Sequence, residues 1–123
     1  MNHSSPIIAL PFREAVVSNN TVYISGQVGV DPSTGALNQA SFEAEADQVM
    51  KNLGEVLGNF ELSYKDLISV TIYLKSMANY ASTNKVYSSY FEHVFPARVC
   101  IAVADLPLLA NIEIAAIAEK KPA

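Results

Sequence analysis

The side chain with the clearest chemical capacity in this chain is Arg98, in the run Pro96-Ala97-Arg98 that opens a strand-like segment. A guanidinium fork matches a carboxylate through two parallel N–H donors, so an acidic side chain or an anionic ligand could satisfy it. Strand alternation sends Arg98, Cys100 and Ala102 to one side and Val99, Ile101 and Val103 to the other. The β-branched set is expected on a helix-covered face. That leaves Arg98 on the opposite face, where its charge needs a partner. The partner is either a side chain in a structural ion pair across subunits or a small anionic ligand. Glu113, a lone carboxylate in Ile112-Glu113-Ile114, is the obvious acidic neighbour if the last two strands pair as a hairpin. It would neutralise Arg98, within the chain or across a subunit boundary, or orient a water as a weak general base. Ser25 and Gln27, in Ile24-Ser25-Gly26-Gln27, add hydrogen-bonding groups from a central strand.

Other chemistries lack their residues. The chain has no glycine-rich phosphate loop, no CxxC, no HExxH and no G-x-S-x-G elbow. Its two histidines, His3 and His93, are too few and too far apart to supply the three or four convergent donors of a metal site. No cofactor is implied. The single cysteine, Cys100, cannot form an internal disulfide and reads as a small residue packed in a strand. A net charge of −4, with eight scattered basic residues, argues against bulk attraction to nucleic acid. No uncharged apolar stretch reaches the roughly 18 residues of a membrane span, and no signal peptide is visible. The expected compartment is the cytosol.

The elements that must hold these residues follow from periodicity. The 123 residues are expected to form one domain, with residues 1–10 a loosely held lead-in. Val16 to Ser18 and Thr21 to Val28 read as strands joined by a tight turn at Asn19-Asn20. Asp31-Pro32-Ser33-Thr34-Gly35 is a turn cluster. Apolar residues from Phe42 to Phe60 recur at three- and four-residue spacing, with Ser41 as cap and Glu43 and Glu45 at the helix N-terminus. Leu67 to Leu74 reads as a strand with Ile68, Val70, Ile72 and Leu74 on one face. A second helix is expected over about 77–91, packing through Tyr80, Val86, Tyr87, Tyr90 and Phe91, then strands over 97–104 and 112–118. The result is an α+β fold in the order ββ, helix, β, helix, ββ. Two helices cover one sheet face. The other, carrying Cys100, Ala102, Ala104, Ala115 and Ile117, has little charge. A wet apolar face of that size is uncommon, so copies of the chain are expected to pack sheet against sheet.

Taken together, VYISGQ (22–27), DPSTG (31–35), NKVYSSYF (84–91), FPAR (95–98), and LP followed by IEI (106–107, 112–114) resemble the RidA/YjgF family of reactive-intermediate deaminases. The resemblance runs from about residue 11 to 118. It implies a chorismate-mutase-like mixed sheet and a homotrimer with a central barrel of sheets and clefts between subunits. It also implies that Arg98 grips the carboxylate of a 2-imino acid and Glu113 helps place the water that hydrolyses it to a 2-oxo acid and ammonia. Asn84 and the backbone at Cys100 would belong to the same cleft. The family's GPYSQA motif appears here as Leu10 to Ala15, so Phe12 replaces a tyrosine whose hydroxyl lines the cleft, and the second glutamate of IEIEA is Ala115. A carboxylate-binding regulatory trimer is the alternative, and an RNA-cleaving role fits the acidic balance poorly.

Overall fold

Asn19 adopts a left-handed φ of 56°, and this closes the hairpin between β1 (Ala15–Ser18) and β2 (Thr21–Val28). These strands belong to a computed structural model that describes residues 10–121. The expected lead-in therefore lies, through residue 9 and including His3, outside the described residues, while Leu10 is exposed. The Asp31–Gly35 cluster turns the chain between two short strands, β3 (Val30–Asp31) and β4 (Ala36–Leu37). Gly35, at φ 75°, donates its N–H to the Asp31 carbonyl at 2.8 Å. The Asp31 carboxylate accepts from the Ser33 N–H at 2.9 Å.

The first helix, α1 (Phe42–Gly58), starts where Ser41 accepts the Ala44 N–H at 3.0 Å. Its apolar stripe, Ala46, Val49, Met50, Leu53, Val56 and Leu57, is buried. Asn52 ties this helix to the end of β2, donating to the carbonyls of Val28 and Val30 at 2.9 Å each. The second helix is shorter than its apolar spacing suggests. Ser76 caps a separate 3-10 turn at Met77–Asn79, accepting the Ala78 N–H, and α2 proper is Tyr80–Ser88.

The remaining strands are β5 (Leu67–Leu74), β6 (Ala97–Ala102) and β7 (Ile112–Glu119). The main sheet has the order β1-β2-β7-β5-β6, with β5 and β6 parallel and the other pairs antiparallel. The last two strands therefore do not form a hairpin. The connection from 103 to 111 is long enough to cross β5, two strand spacings or about 10 Å. β5 and β7 carry the most apolar faces, Val70, Ile72 and Leu74 on one and Ile112, Ile114, Ala116 and Ala118 on the other. Central positions bury those faces fully. β6, with a charge and small residues, suits an edge.

Both helices lie on one face, where α1 and Tyr87 of α2 share a core with Val22, Ile24 and the apolar faces of β5 and β7. The assignment of faces on β6 is the reverse of the expected one. Arg98, Cys100 and Ala102 stand opposite Val70, Ile72 and Leu74, on the helix side, whereas Val99 is 52% and Ile101 44% exposed on the uncovered side. Alternation fixes which residues share a face, and the parallel register with β5 decides which face that is. Ile68 is also displaced: an irregularity between Leu67 and Ser69 turns it outward, 45% exposed. Ala115 and Ile117 do lie on the uncovered face, joined there by Tyr23, Thr71, Val99 and Ile101. A shallow depression of about 280 Å³ crosses that surface. Among the described residues no helix is long and apolar enough to cross a membrane.

Candidate functional site

Arg98 sits at the sheet edge beneath α2. Helical spacing brings Tyr80, Asn84 and Tyr87 to neighbouring positions on that helix. The guanidinium lies 5.0 Å from the Tyr87 ring centroid and 5.7 Å from that of Tyr80, and its Nη2 donates to the Tyr80 hydroxyl at 3.2 Å. Two aromatic faces thus stabilise the cation without neutralising it. Among the described residues no carboxylate pairs with it; the ion pairs are Lys51–Asp47 and Lys75–Asp105. Phe95 stacks on Tyr87 and touches Phe91, and a recess of about 240 Å³ opens between Tyr87, Ser88, Phe95, Pro96 and Arg98.

Cys100 follows two residues along the strand, half-buried against the core. Burial pushes its thiol pKa up and the nearby guanidinium pulls it partly back, so it stays a thiol at neutral pH. Asn84 lies one turn beyond Tyr80; its carbonyl accepts the Ser88 hydroxyl at 2.6 Å, and among the described residues its side-chain amide is unbonded.

Glu113 belongs to a second group, on the uncovered face. An extra residue at Ser25–Gly26 breaks the register of β2 against β7. The Glu113 carboxylate packs directly over Gly26, where a Cβ would overlap its Oε2. Glycine leaves this space to the carboxylate, and a side chain at position 26 would push Glu113 aside. Burial raises the Glu113 pKa above the ordinary glutamate value. Ser25 binds the segment before β1: its hydroxyl donates to the Arg13 carbonyl at 2.7 Å and its N–H to Glu14 at 2.9 Å. The Gln27 amide donates to the Ser25 carbonyl at 3.0 Å, but past the irregularity Gln27 stands opposite Ile114, on the helix-covered face and not with Glu113. Phe12, next to Arg13, is 58% exposed.

The site residues therefore form two groups. Arg98, Cys100 and Asn84 gather at the β6 edge; Glu113, Ser25 and the Phe12 segment gather around Gly26. Arg98 and Glu113 stand two strands apart on opposite faces, so within one chain neither neutralises the other. In the sequence Tyr80 and Tyr87 look like packing residues, and the pair of rings they set against Arg98 is visible only in their spacing with Asn84. Glu45 looks like no more than a favourable helix-end charge. Glu45 is fully buried and accepts from the Asn111 N–H at 2.8 Å, the Asn111 amide at 2.9 Å and Gln39 at 3.3 Å. It fixes the turn that leads into β7, two residues before Glu113.

Comparison with known proteins adds the lineage. The Endoribonuclease L-PSP family model matches residues 3–120. A Mus musculus protein named 2-iminobutanoate/2-iminopropanoate deaminase is 39% identical over 118 residues, 96% of this chain and 87% of its own length. Among solved structures, RidA from the Antarctic bacterium Psychrobacter sp. PAMC 21119 is 33% identical with a TM-score of 0.86, over 91% of this chain and 90% of that one. E. coli TdcF with bound serine is 30% identical with a TM-score of 0.87, over 93% and 91%. The chain belongs to the Endoribonuclease L-PSP family, the family of RidA and YjgF.

Proposed function

We propose that this chain hydrolyses small 2-imino acids such as 2-iminopropionate and 2-iminobutanoate. Water adds to the C=N carbon, the C–N bond breaks, and a 2-oxo acid and ammonia leave. The observation that carries this reading is the Arg98 guanidinium, oriented by two tyrosines and without a carboxylate partner among the described residues. A planar cation so held suits bidentate capture of a small carboxylate. The mouse relative's name and the serine bound to TdcF support the same substrate class.

In this reading the cleft is completed by a neighbouring copy. Arg98, the Cys100 backbone and Asn84 of one subunit face Phe12, Ser25 and Glu113 of the next, with Gln27 bracing the Ser25 carbonyl from behind. The uncovered apolar faces line a trimeric, chorismate-mutase-like barrel, which removes Tyr23, Val99 and Ile101 from water. Glu113 accepts a proton from the attacking water. It does so only when ionised, so activity should decline as pH falls through its raised pKa. The chemical demand is modest, because the imine hydrolyses unaided and positioning supplies much of the gain.

A carboxylate-binding trimer without turnover is the second reading, favoured by Phe12 and Ala115 where the family pattern has polar groups. One assay separates the two. 2-Iminopropionate is generated in situ by oxidising alanine with an amino-acid oxidase, and pyruvate release is followed with increasing protein. The release rate should rise in proportion to protein concentration. A rate equal to the protein-free control would leave binding without catalysis.

A further inference from the structure

We propose that Tyr80 is a ligand-binding residue of this site, its hydroxyl donating to the same carboxylate that Arg98 grips. The proposal rests on the reading of Arg98 as the carboxylate anchor. Arg98 Nη2 donates to Tyr80 Oη at 3.2 Å, so that oxygen serves as an acceptor and its own proton is directed elsewhere. Among the described residues this hydroxyl donates to nothing. Tyr87, on the same helix face, also has a hydroxyl without a partner among the described residues, but it is buried and cannot meet a ligand from solvent as Tyr80 can. Two tyrosines at the helix interface are fully engaged. Tyr64 donates to the Met50 carbonyl at 2.7 Å, and Tyr90 donates to Asp47. Tyr80 is 40% exposed, at the open end of the α2 face that holds the guanidinium. An anion arriving at the remaining N–H groups of Arg98 comes within reach of this O–H.

The contact has two consequences. The hydrogen bond to Nη2, with the Tyr87 ring at 5.0 Å, fixes the plane of the fork before the ligand arrives. That reduces the ordering needed on binding. The O–H then adds a charge-assisted donor to the carboxylate. The carboxylate is not the reacting centre, and its charge is the same in ground and transition states. Such a contact is uniform binding, which lowers KM without raising kcat.

Tyr80→Phe tests this, because it keeps the ring and removes only the hydroxyl. The readouts are the Kd for pyruvate, by calorimetry, and the steady-state constants for 2-iminopropionate, on the intact oligomer beside Arg98→Ala. Tyr80→Phe should raise Kd and KM by about ten- to 150-fold, the range for a hydrogen bond to a charged group, with kcat within about twofold. Unchanged Kd and KM in Tyr80→Phe, with pyruvate binding lost in Arg98→Ala, would overturn this proposal and leave the anchor standing. A fall in kcat at constant KM would also overturn it. Pyruvate binding retained in Arg98→Ala would overturn the anchor and this proposal together.

Discussion

Arg98→Ala should lower kcat/KM for 2-iminopropionate by about thirtyfold to several thousandfold, equivalent to roughly 2–5 kcal/mol for a lost charged contact. The fold should persist, because Arg98 is half-buried on the edge strand β6, where truncation leaves the sheet ladder and the central core strands β5 and β7 in place. Arg98→Lys should recover little of the loss. An ammonium keeps the charge but cannot make two parallel N–H contacts, nor spread its charge over a plane beside the Tyr80 and Tyr87 rings. Steady-state kinetics with circular dichroism as the fold control decides it. Near-native activity in Arg98→Ala would remove the carboxylate anchor from this account.

The largest effect on stability is expected at Glu45. Its buried carboxylate receives three donors, two from Asn111 and one from Gln39. Glu45→Ala leaves the Asn111 N–H and amide without partners inside the protein and empties the fully buried space of the Glu45 side chain. Unsatisfied buried donors cost about 1–3 kcal/mol each, so a net loss of about 2–4 kcal/mol is expected. Glu45→Gln should cost less, since its amide oxygen still accepts from Asn111. Urea unfolding at fixed protein concentration measures both, the concentration being held because the proposed subunit association would contribute to apparent stability. A loss under about 0.5 kcal/mol in Glu45→Ala would mean that water replaces the carboxylate.

The fold was legible in the sequence where one physical signal dominated. The stripe from Phe42 to Leu57 marked α1, and the Asn19-Asn20 and Asp31–Gly35 turns needed only local backbone chemistry. Topology was less legible. The sequence shows β6 and β7 as consecutive strands, and only the competition for burial puts β7 between β2 and β5. The inverted faces of β6 have the same origin. Val99 and Ile101 look like core residues, but at a sheet edge they face the uncovered side, while the helix side accommodates Arg98 and Cys100. Of the candidate site, Arg98 and Glu113 stood out as isolated charges in apolar strands. Tyr80 did not, because what its hydroxyl meets depends on which way β6 faces. The separation of Arg98 from Glu113 required the sheet order.

Because Arg98 and Glu113 are separated within one chain, a cleft that sets both against a small carboxylate must be completed by a second copy. The most direct test of such a cleft is a crystal structure of the protein grown with pyruvate. The carboxylate should be bound by the Arg98 guanidinium at about 2.7–2.9 Å, with Glu113 and Ser25 of an adjacent subunit closing the other side. Pyruvate bound away from Arg98, or assemblies in which no Glu113 approaches any Arg98, would contradict this cleft.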